Sequence, residues 1–308
     1  MIRTVLGDIT PDKLGVTYLH EHLIIDSEIV RNEYAHIYLP NVEDAISELN
    51  ICKNAGVASM VDCMPTSSGR DIRKLAEISN QTGVNIIAAT GLHHARYYNE
   101  FDSIEALDVE ALANLFIEEI KTGCEGTFYK AGIIKVVTSG ENPSNRELRL
   151  FEAAAIAQKA TGAPILTHCE HGKGALQQLD ILRNLDIDFS RVVMSHTDKE
   201  PDFAYHRELL SSGINLEYDQ SLRQIDLENS TSALLTAEMI DLGFGGQIML
   251  GTDGARRSLW TALGGSPGLA ALFQNWSAKL LEVGITQEQI ELMFVTNPAN
   301  FLSLKGAA

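Results

Sequence analysis

The sequence predicts an α/β fold in which eight parallel strands and eight helices close into a single (β/α)8 TIM barrel. Short β-branched segments alternate with amphipathic helical segments along all 308 residues, which indicates parallel strands joined by right-handed crossovers. Several strand segments are apolar at consecutive positions, as strands covered on both faces are. Neither a glycine-rich nucleotide-binding motif nor a change in composition interrupts the chain. One closed barrel over residues 1–308 is therefore favoured over an open doubly wound sheet.

The eight strands are predicted where β-branched and apolar residues cluster between helical segments. In chain order they are residues 16–25, 57–63, 85–90, 133–138, 164–168, 191–196, 214–218 and 247–252. The intervening helices are predicted from apolar residues at helical spacing, as Leu112, Phe116 and Ile120 show for the third. These helices are residues 42–54, 71–82, 109–122, 146–161, 174–184, 204–212 and 232–242, with a closing helical stretch over 266–304.

The longer connections all follow the carboxyl end of a predicted strand. They are residues 26–41, 91–108, 219–231 and 253–268. In barrel enzymes this face carries the active site, so we expect the functional residues and the substrate pocket at this end.

Composition excludes several classes of partner. The formal net charge is −17, which argues against nucleic acid or an anionic membrane surface, because both require a basic footprint. A small anionic substrate remains compatible, since a few local arginines can bind one. No pattern predicts an oligomeric state, although a homodimer is reasonable for such a barrel.

The cysteines and the terminal residues predict a cytoplasmic protein. The four cysteines form no CxxC pair and are interpreted as reduced, buried thiols. The first residues carry an acid early and lack a long apolar region, so they do not resemble a signal peptide. We find no stretch of 18 uncharged apolar residues, which excludes a membrane-spanning helix.

Residues of metal-ligand type occur at the ends of predicted strands. His20 and His22 lie on the first strand, where side chains at positions i and i+2 share a face. The fifth, sixth and eighth strands end at His168, His196 and Asp253. One such residue alone is more often a core histidine or a helix cap, but five at one rim indicate a metal site. These donors suit zinc, with manganese, cobalt or iron as alternatives.

Lys135 interrupts the apolar fourth strand. Burial of an ammonium is costly and lowers the lysine pKa from about 10.4. One interpretation is an outward-facing lysine or a buried ion pair. The other is that the neutral amine reacts with carbon dioxide to give a carbamate, whose two oxygens could bridge cations about 3.5–4 Å apart.

The order HxH, Lys, His, His, Asp on strands one, four, five, six and eight resembles the phosphotriesterase family of the amidohydrolase superfamily. The surrounding segments YLHEHL (18–23), KAGIIK (130–135) and SHTD (195–198) strengthen the resemblance. The late Asn297-Pro298 does so as well. The segments 253–257 and 264–269 resemble the lactonase branch, close to the phosphotriesterase homology proteins and the phosphorylated sugar-lactone hydrolases.

This resemblance implies a binuclear metal-dependent hydrolase. One cation would be bound by His20, His22 and Asp253, and the second by His168 and His196. Carboxylated Lys135 would bridge both cations together with a hydroxide.

In the implied mechanism, the two cations make hydroxide available near neutral pH and polarise the carbonyl or phosphoryl oxygen that it attacks. Asp253 would accept the proton and pass it to the leaving group. His196 or Asp198 is a candidate for relaying that proton outward.

Substrate recognition is predicted to lie in the loops. Arg223 and Arg256 could clamp a phosphate bidentately, although either could instead form a loop-fixing ion pair, and Arg257 could replace Arg256. A phosphorylated sugar lactone is therefore the favoured substrate. Alternative substrates for the same site are a phosphotriester, a phosphodiester or an acyl-homoserine lactone. A second hypothesis, from another functional class, is a metal-free barrel that acts as a binding or regulatory protein.

Other polar residues are assigned no clear part in the chemistry. Four residues after the third strand could line the pocket or lie exposed on their loop: His93, His94, Tyr97 and Tyr98. Cys169 should point away from the site, since it neighbours His168 on a strand. We expect Arg70 on a solvated helix face. The remaining histidines, predicted to be surface or core residues, are His36, His171 and His206.

Overall fold

Eight parallel strands form the central sheet in the computed structural model, which describes residues 1–99 and 102–305. An antiparallel hairpin, β1 (Ile2–Thr4) and β2 (Gly7–Ile9), precedes them. The barrel strands are β3 (Thr17–Glu21), β4 (Ser59–Asp62), β5 (Asn85–Gly91), β6 (Ala131–Thr138), β7 (Ile165–Cys169), β8 (Val192–Ser195), β9 (Asn215–Tyr218) and β10 (Ile248–Leu250). Neighbouring strands pair in chain order.

The first and last barrel strands meet at a narrow seam. The amides of Thr252 and Asp253 both donate to the carbonyl oxygen of His20, at 3.2 and 3.0 Å. The eight parallel strands therefore nearly close on themselves, and the predicted (β/α)8 class is confirmed. This seam also brings two candidate metal ligands, His20 and Asp253, together through the backbone.

Helices follow the strands around the barrel. They are α1 (Glu28–Glu33), α2 (Val42–Asn54), α3 (Ile72–Thr82), α4 (Val109–Lys121), α5 (Asn145–Thr161), α6 (Ala175–Asn184), α7 (Phe203–Ser211), α8 (Ser221–Gln224), α9 (Thr231–Asp241), α10 (Ser277–Glu282), α11 (Gln287–Glu291) and α12 (Asn297–Leu302). The π-helical segments Leu272–Trp276 and Leu292–Thr296 lead into α10 and α12. Side-chain caps fix where individual helices begin. Asp71 caps the start of α3, and Ser144 with Glu147 forms a capping box at the start of α5.

Two apolar layers support the site. A small cluster from the barrel strands fills the interior, including Leu19, Ile133, Leu166 and Met249. A larger cluster packs the sheet against the helices. The rim at the carboxyl ends of the strands is thus built on strands that are buried on both faces, which gives rigid support to side chains at the strand ends.

Several predicted boundaries differ from the structure. The first barrel strand ends at Glu21 rather than at residue 25, because the Asp62 carboxylate accepts the amides of Leu23 (2.6 Å) and Ile24 (3.4 Å) in place of a strand partner. The hairpin Ile2–Ile9 and the short helices α1 and α8 were not predicted. Within the predicted connection 91–108, residues 100 and 101 lie outside the described residues, as do residues 306–308 at the end of the chain.

The cysteines and the helices bear on two further predictions from the sequence. All four cysteines are buried and unpaired, as predicted. Among the described helices, none has both the length and the apolar character needed to cross a bilayer.

Candidate metal centre

Four imidazoles gather at the carboxyl ends of β3, β7 and β8. The ring centroids of His20 and His22 are 5.4 Å apart, those of His20 and His196 are 4.7 Å apart, and those of His168 and His196 are 4.3 Å apart. Burial lowers the pKa of His20 and His168 well below the usual range, and that of His22 to about 4. These three rings are therefore neutral at pH 7, as metal coordination requires.

Lys135 and Asp253 complete this cluster. The Nζ of Lys135 lies 3.4 Å from His20 Nε2, and Oδ1 of Asp253 lies 3.6 Å from His22 Nε2. One ligand atom from each of His20, His22 and Asp253 falls within 4.8 Å of the others. The six residues predicted as metal ligands thus lie together at one rim of the barrel.

Carboxylates that the sequence analysis did not identify lie behind three of the histidines. His196 Nδ1 donates to Asp219 Oδ2 at 2.5 Å. His168 Nε2 donates to Glu170 Oε2 at 2.6 Å. The Nδ1 of His20 lies 3.4 Å from Oε2 of Glu217. Outer carboxylates of this kind fix the tautomer and orientation of metal-binding histidines. These carboxylates are hard to identify from the sequence. Glu217 and Asp219 lie in or directly after a strand, as many acidic residues do, and no motif indicates that they face a histidine.

The donor set fits a pair of divalent cations. Among the described residues, His20 Nδ1 and His22 Nδ1 are buried without a hydrogen-bond partner. Lys135 is fully buried, burial lowers its pKa, and its only described hydrogen-bond contact is His20. A neutral, modifiable amine satisfies this environment better than an ammonium. His20, His22, Lys135, His168, His196 and Asp253 could therefore hold the cations.

Two of these residues have an unusual backbone conformation. His196 (φ 68°) and Asp253 (φ 46°) are both in the left-handed region, which costs most non-glycine residues about 1–3 kcal/mol. Each follows the last residues of a barrel strand. Strain of this kind persists where the surroundings fix it, and it is concentrated at functional sites.

A cavity of about 480 Å³ opens above the cluster. It is bounded by residues from the predicted loops, including His93, Tyr97, Arg223 and Arg256. His36 and His171, which were predicted to be surface or core residues, also border it. This volume suits a small-molecule substrate.

The cationic residues of the cavity differ in how firmly they are held. Arg223 donates to the carbonyl oxygens of Asp219 (3.1 Å), Thr252 (2.8 Å) and Asp253 (3.0 Å). It also donates to the Asp253 carboxylate at 3.3 Å. Four of its five N–H donors are therefore engaged by neighbouring loop residues. Arg256 is exposed on the cavity wall. Lys199, which the sequence analysis did not single out, also borders the cavity, with Nζ 3.9 Å from Asp253 Oδ2.

Three further residues were considered in the sequence analysis. Burial raises the pKa of the Cys169 thiol to about 12, which agrees with its exclusion as a nucleophile. Asp198 is buried and accepts hydrogen bonds from the amides of residues 219 and 220 and from Ser232 Oγ, away from the cavity lining. The solvated position expected for Arg70 is wrong, because its side chain is fully buried and paired with Glu119 at 2.6 Å.

The comparisons with known proteins decide the family. The sequence model described as the phosphotriesterase family matches residues 1–302. The chain belongs to the phosphotriesterase family. It is therefore a hydrolase, since the family's curated relatives include lactonases and an aryldialkylphosphatase.

Relatives from this family align over almost the whole chain. A phospho-furanose lactonase of Mycoplasmopsis synoviae is 31% identical, with 98% of this chain and 91% of the relative covered. The solved structure of a lactonase from Listeria monocytogenes superposes with a TM-score of 0.93 at 27% identity, covering 99% of both chains. The phosphotriesterase homology protein of Escherichia coli, solved with phosphate in its active site, has a TM-score of 0.88 at 28% identity, covering 95% of this chain and all of that one.

Proposed function

We propose that this phosphotriesterase-family protein is a binuclear metal-dependent lactonase that opens a phosphorylated sugar lactone. The observation that carries the proposal is the complete burial of Lys135 beside His20, at the rim where four imidazoles and Asp253 converge. Among residues 1–99 and 102–305, Lys135 forms no ion pair that would offset the cost of its burial, whereas a carbamate on its Nζ would have two cations to bind.

The proposed cations would be held by the residues on either side of Lys135. His20, His22 and Asp253 would bind one cation, and His168 and His196 would bind the other. When bound, the cations lower the pKa of a coordinated water towards 7 and polarise the substrate oxygen. Zinc is the preferred identity for these donors, with manganese, cobalt or iron as alternatives.

Asp253 is the proposed proton carrier. Its Oδ1 faces His22, while its Oδ2 lies 3.3 Å from Arg223 Nη2 and 3.9 Å from Lys199 Nζ, so both sides of the carboxylate are held. The hydroxyl of water adds to the lactone carbonyl carbon as the ring C–O bond breaks. Asp253 takes the released proton and gives it to the ring oxygen, which leaves a hydroxy acid.

The phosphate of the substrate is assigned to the cationic wall of the cavity. Arg256 is exposed on that wall and has no described side-chain hydrogen bond, and Lys199 and Arg223 contribute positive charge to the same cavity lining. A local positive wall in a chain of net charge −17 favours a small anion over a neutral lactone. The phospho-furanose name of the Mycoplasmopsis relative and the phosphate in the Escherichia coli structure support this assignment.

A phosphotriester is the second candidate substrate. Part of the cavity wall is apolar, formed by Ile25, Ile37, Met64 and Leu259, and could receive a neutral ester. An aryldialkylphosphatase of Saccharolobus solfataricus is 29% identical over 94% of this chain. An acyl-homoserine lactone would use the same apolar wall.

Metal analysis and a substrate series test the proposal. We expect about two divalent cations per chain and a modified Lys135 by mass spectrometry of the native protein. Sugar lactones with a terminal phosphate should show kcat/KM roughly 10- to 100-fold above their unphosphorylated counterparts, which is the worth of a charge-assisted contact.

The variant Arg256→Ala should remove that preference, whereas Arg207→Ala, at an exposed arginine on α7, serves as the matched control. Equal kcat/KM with and without phosphate, together with an unaffected Arg256→Ala enzyme, would refute the phosphate assignment. A protein without bound cations would refute the binuclear site itself.

A further inference from the structure

We propose that Glu170 is a positioning residue for His168. It accepts a hydrogen bond from the N–H group at His168 Nε2, which leaves the lone pair on Nδ1 for this histidine to offer to a cation. The inference rests on the proposed two-cation function and adds a residue to which that function assigned no part.

Glu170 is held from several directions at the end of β7. Its Oε2 is 2.6 Å from His168 Nε2 and 3.3 Å from His94 Nε2, while its Oε1 is 3.2 Å from Arg96 Nη2. His94 and Arg96 both come from the segment that follows β5. Hydrogen bonds from His168 and Arg96 engage both carboxylate oxygens, whereas His94 Nε2 lies near Oε2 without a hydrogen bond. The carboxylate is therefore held in the orientation that accepts the His168 hydrogen bond.

His94, which lies beside Glu170, is itself held by residues at the start of α5. His94 Nδ1 lies 3.2 Å from Ser139 Oγ, and Ser139 in turn donates to Glu147 Oε1 at 2.7 Å. Glu147 belongs to the capping box at the start of α5. A chain of polar contacts therefore runs from a helix terminus to His168, and it ties the imidazole to the rigid part of the barrel.

The same arrangement recurs at one other histidine of the site. Asp219 accepts a hydrogen bond from Nδ1 of His196, whereas Glu217 lies 3.4 Å from Nδ1 of His20 without forming a hydrogen bond. Both of those carboxylates come from β9 or the residue after it. The carboxylate beside His168 belongs to Glu170, which is two residues further along the sequence. Two imidazoles, those of His168 and His196, thus have one nitrogen hydrogen-bonded to a carboxylate and the other left for a ligand.

Loss of the Glu170 carboxylate should weaken one cation and spare the other. Removal of a carboxylate behind a metal-binding histidine typically lowers metal affinity by about 10- to 100-fold. Glu170 has no described contact with His20, His22 or Asp253, so binding of the first cation should keep its affinity. This selectivity is what a general loss of stability would not produce.

The experiment compares the wild type with Glu170→Gln, Glu170→Asp and the exposed control Lys173→Ala. Metal-free proteins are titrated with Co2+, with visible absorption as the readout, and with Zn2+ against a competing chelator. We expect Glu170→Gln to weaken one binding step by about 10- to 100-fold and to alter the cobalt absorption bands. Glu170→Asp should recover part of the affinity because it keeps the charge, and Lys173→Ala should match the wild type. Circular dichroism verifies that each variant is folded.

Two results would overturn the positioning role of Glu170. Unchanged affinities for both cations in Glu170→Gln would show that His168 needs no such partner. Loss of one cation even at saturating Co2+ would show that Glu170 is itself a ligand. Failure of the proposed function looks different, because in that case the wild type itself binds no cation pair.

Discussion

Replacement of Lys135 by methionine should have opposite effects on stability with and without metal. The side chain is fully buried, and His20 is its one described hydrogen-bond contact, at 3.4 Å. Methionine has a similar volume and no charge. A buried polar group without a good hydrogen-bond partner costs about 1–3 kcal/mol, and methionine removes this cost, so we expect the metal-free variant to unfold at a higher urea concentration than the metal-free wild type.

Metal should reverse this order. A ligand that binds only the folded state at 100 times its Kd adds about 2.7 kcal/mol to the free energy of unfolding. The wild type should gain at least this amount from Zn2+ and bicarbonate, whereas the variant lacks the bridging group and should gain much less. Urea unfolding in chelator and in Zn2+ measures both differences, with the exposed Lys173→Met as the matched control. A variant that is less stable than the wild type in chelator, and that gains as much from metal, would refute our account of Lys135.

Three other predictions concern catalysis, a buried ion pair and a close backbone approach. The variant Asp253→Asn should stay folded but lose about 10²- to 10⁴-fold in kcat, and wild-type turnover in the fully metal-loaded variant would contradict its role as proton carrier. Glu119→Ala should lower the free energy of unfolding at pH 7 by about 3 kcal/mol, the lower end for a broken buried ion pair, because the buried Arg70 would lose Glu119 and keep Glu125 at 2.9 Å as its remaining described carboxylate partner. Burial raises the pKa of Glu119, but Arg70 outweighs it and holds this pKa below the usual value. The wild type should therefore lose stability as the pH falls below about 4.3, and Glu119→Ala should lose less in urea melts at pH 4. Gly91→Ala should reduce both Tm and metal content, because φ is +104° and the new Cβ would come within 1.9 Å of the Lys135 carbonyl oxygen; normal metal content in this variant would contradict the predicted displacement of Lys135.

The sequence was sufficient for the barrel and for the gathering of the six candidate ligands. Apolar segments without alternation marked strands buried on both faces, and residues such as His168 and Asp253 stood out because each ends such a segment. The end of β3 could not be predicted, because it depends on Asp62, which is about 40 residues distant along the chain and caps two amides. Tertiary contacts of this kind leave no periodic signal.

Charged residues away from strand ends were harder to interpret. Arg70 has the sequence context of a surface helix, yet Glu119 and Glu125 enclose it. Lys199 and Glu170 lie within a few residues of predicted ligands, but only folding shows that one faces the cavity and the other faces an imidazole. Side-chain direction in irregular segments depends on local backbone geometry, which residue type alone does not specify.

The hydrogen bonds of Arg223 have a consequence for protein engineering. This one guanidinium fastens carbonyl groups at the ends of β9 and β10, so the loops after these two strands are mechanically coupled. A graft that exchanges only one of them separates the arginine from its acceptors and should disturb the neighbouring loop. Libraries that aim to change substrate range in this enzyme should therefore recombine the two loops as a single cassette.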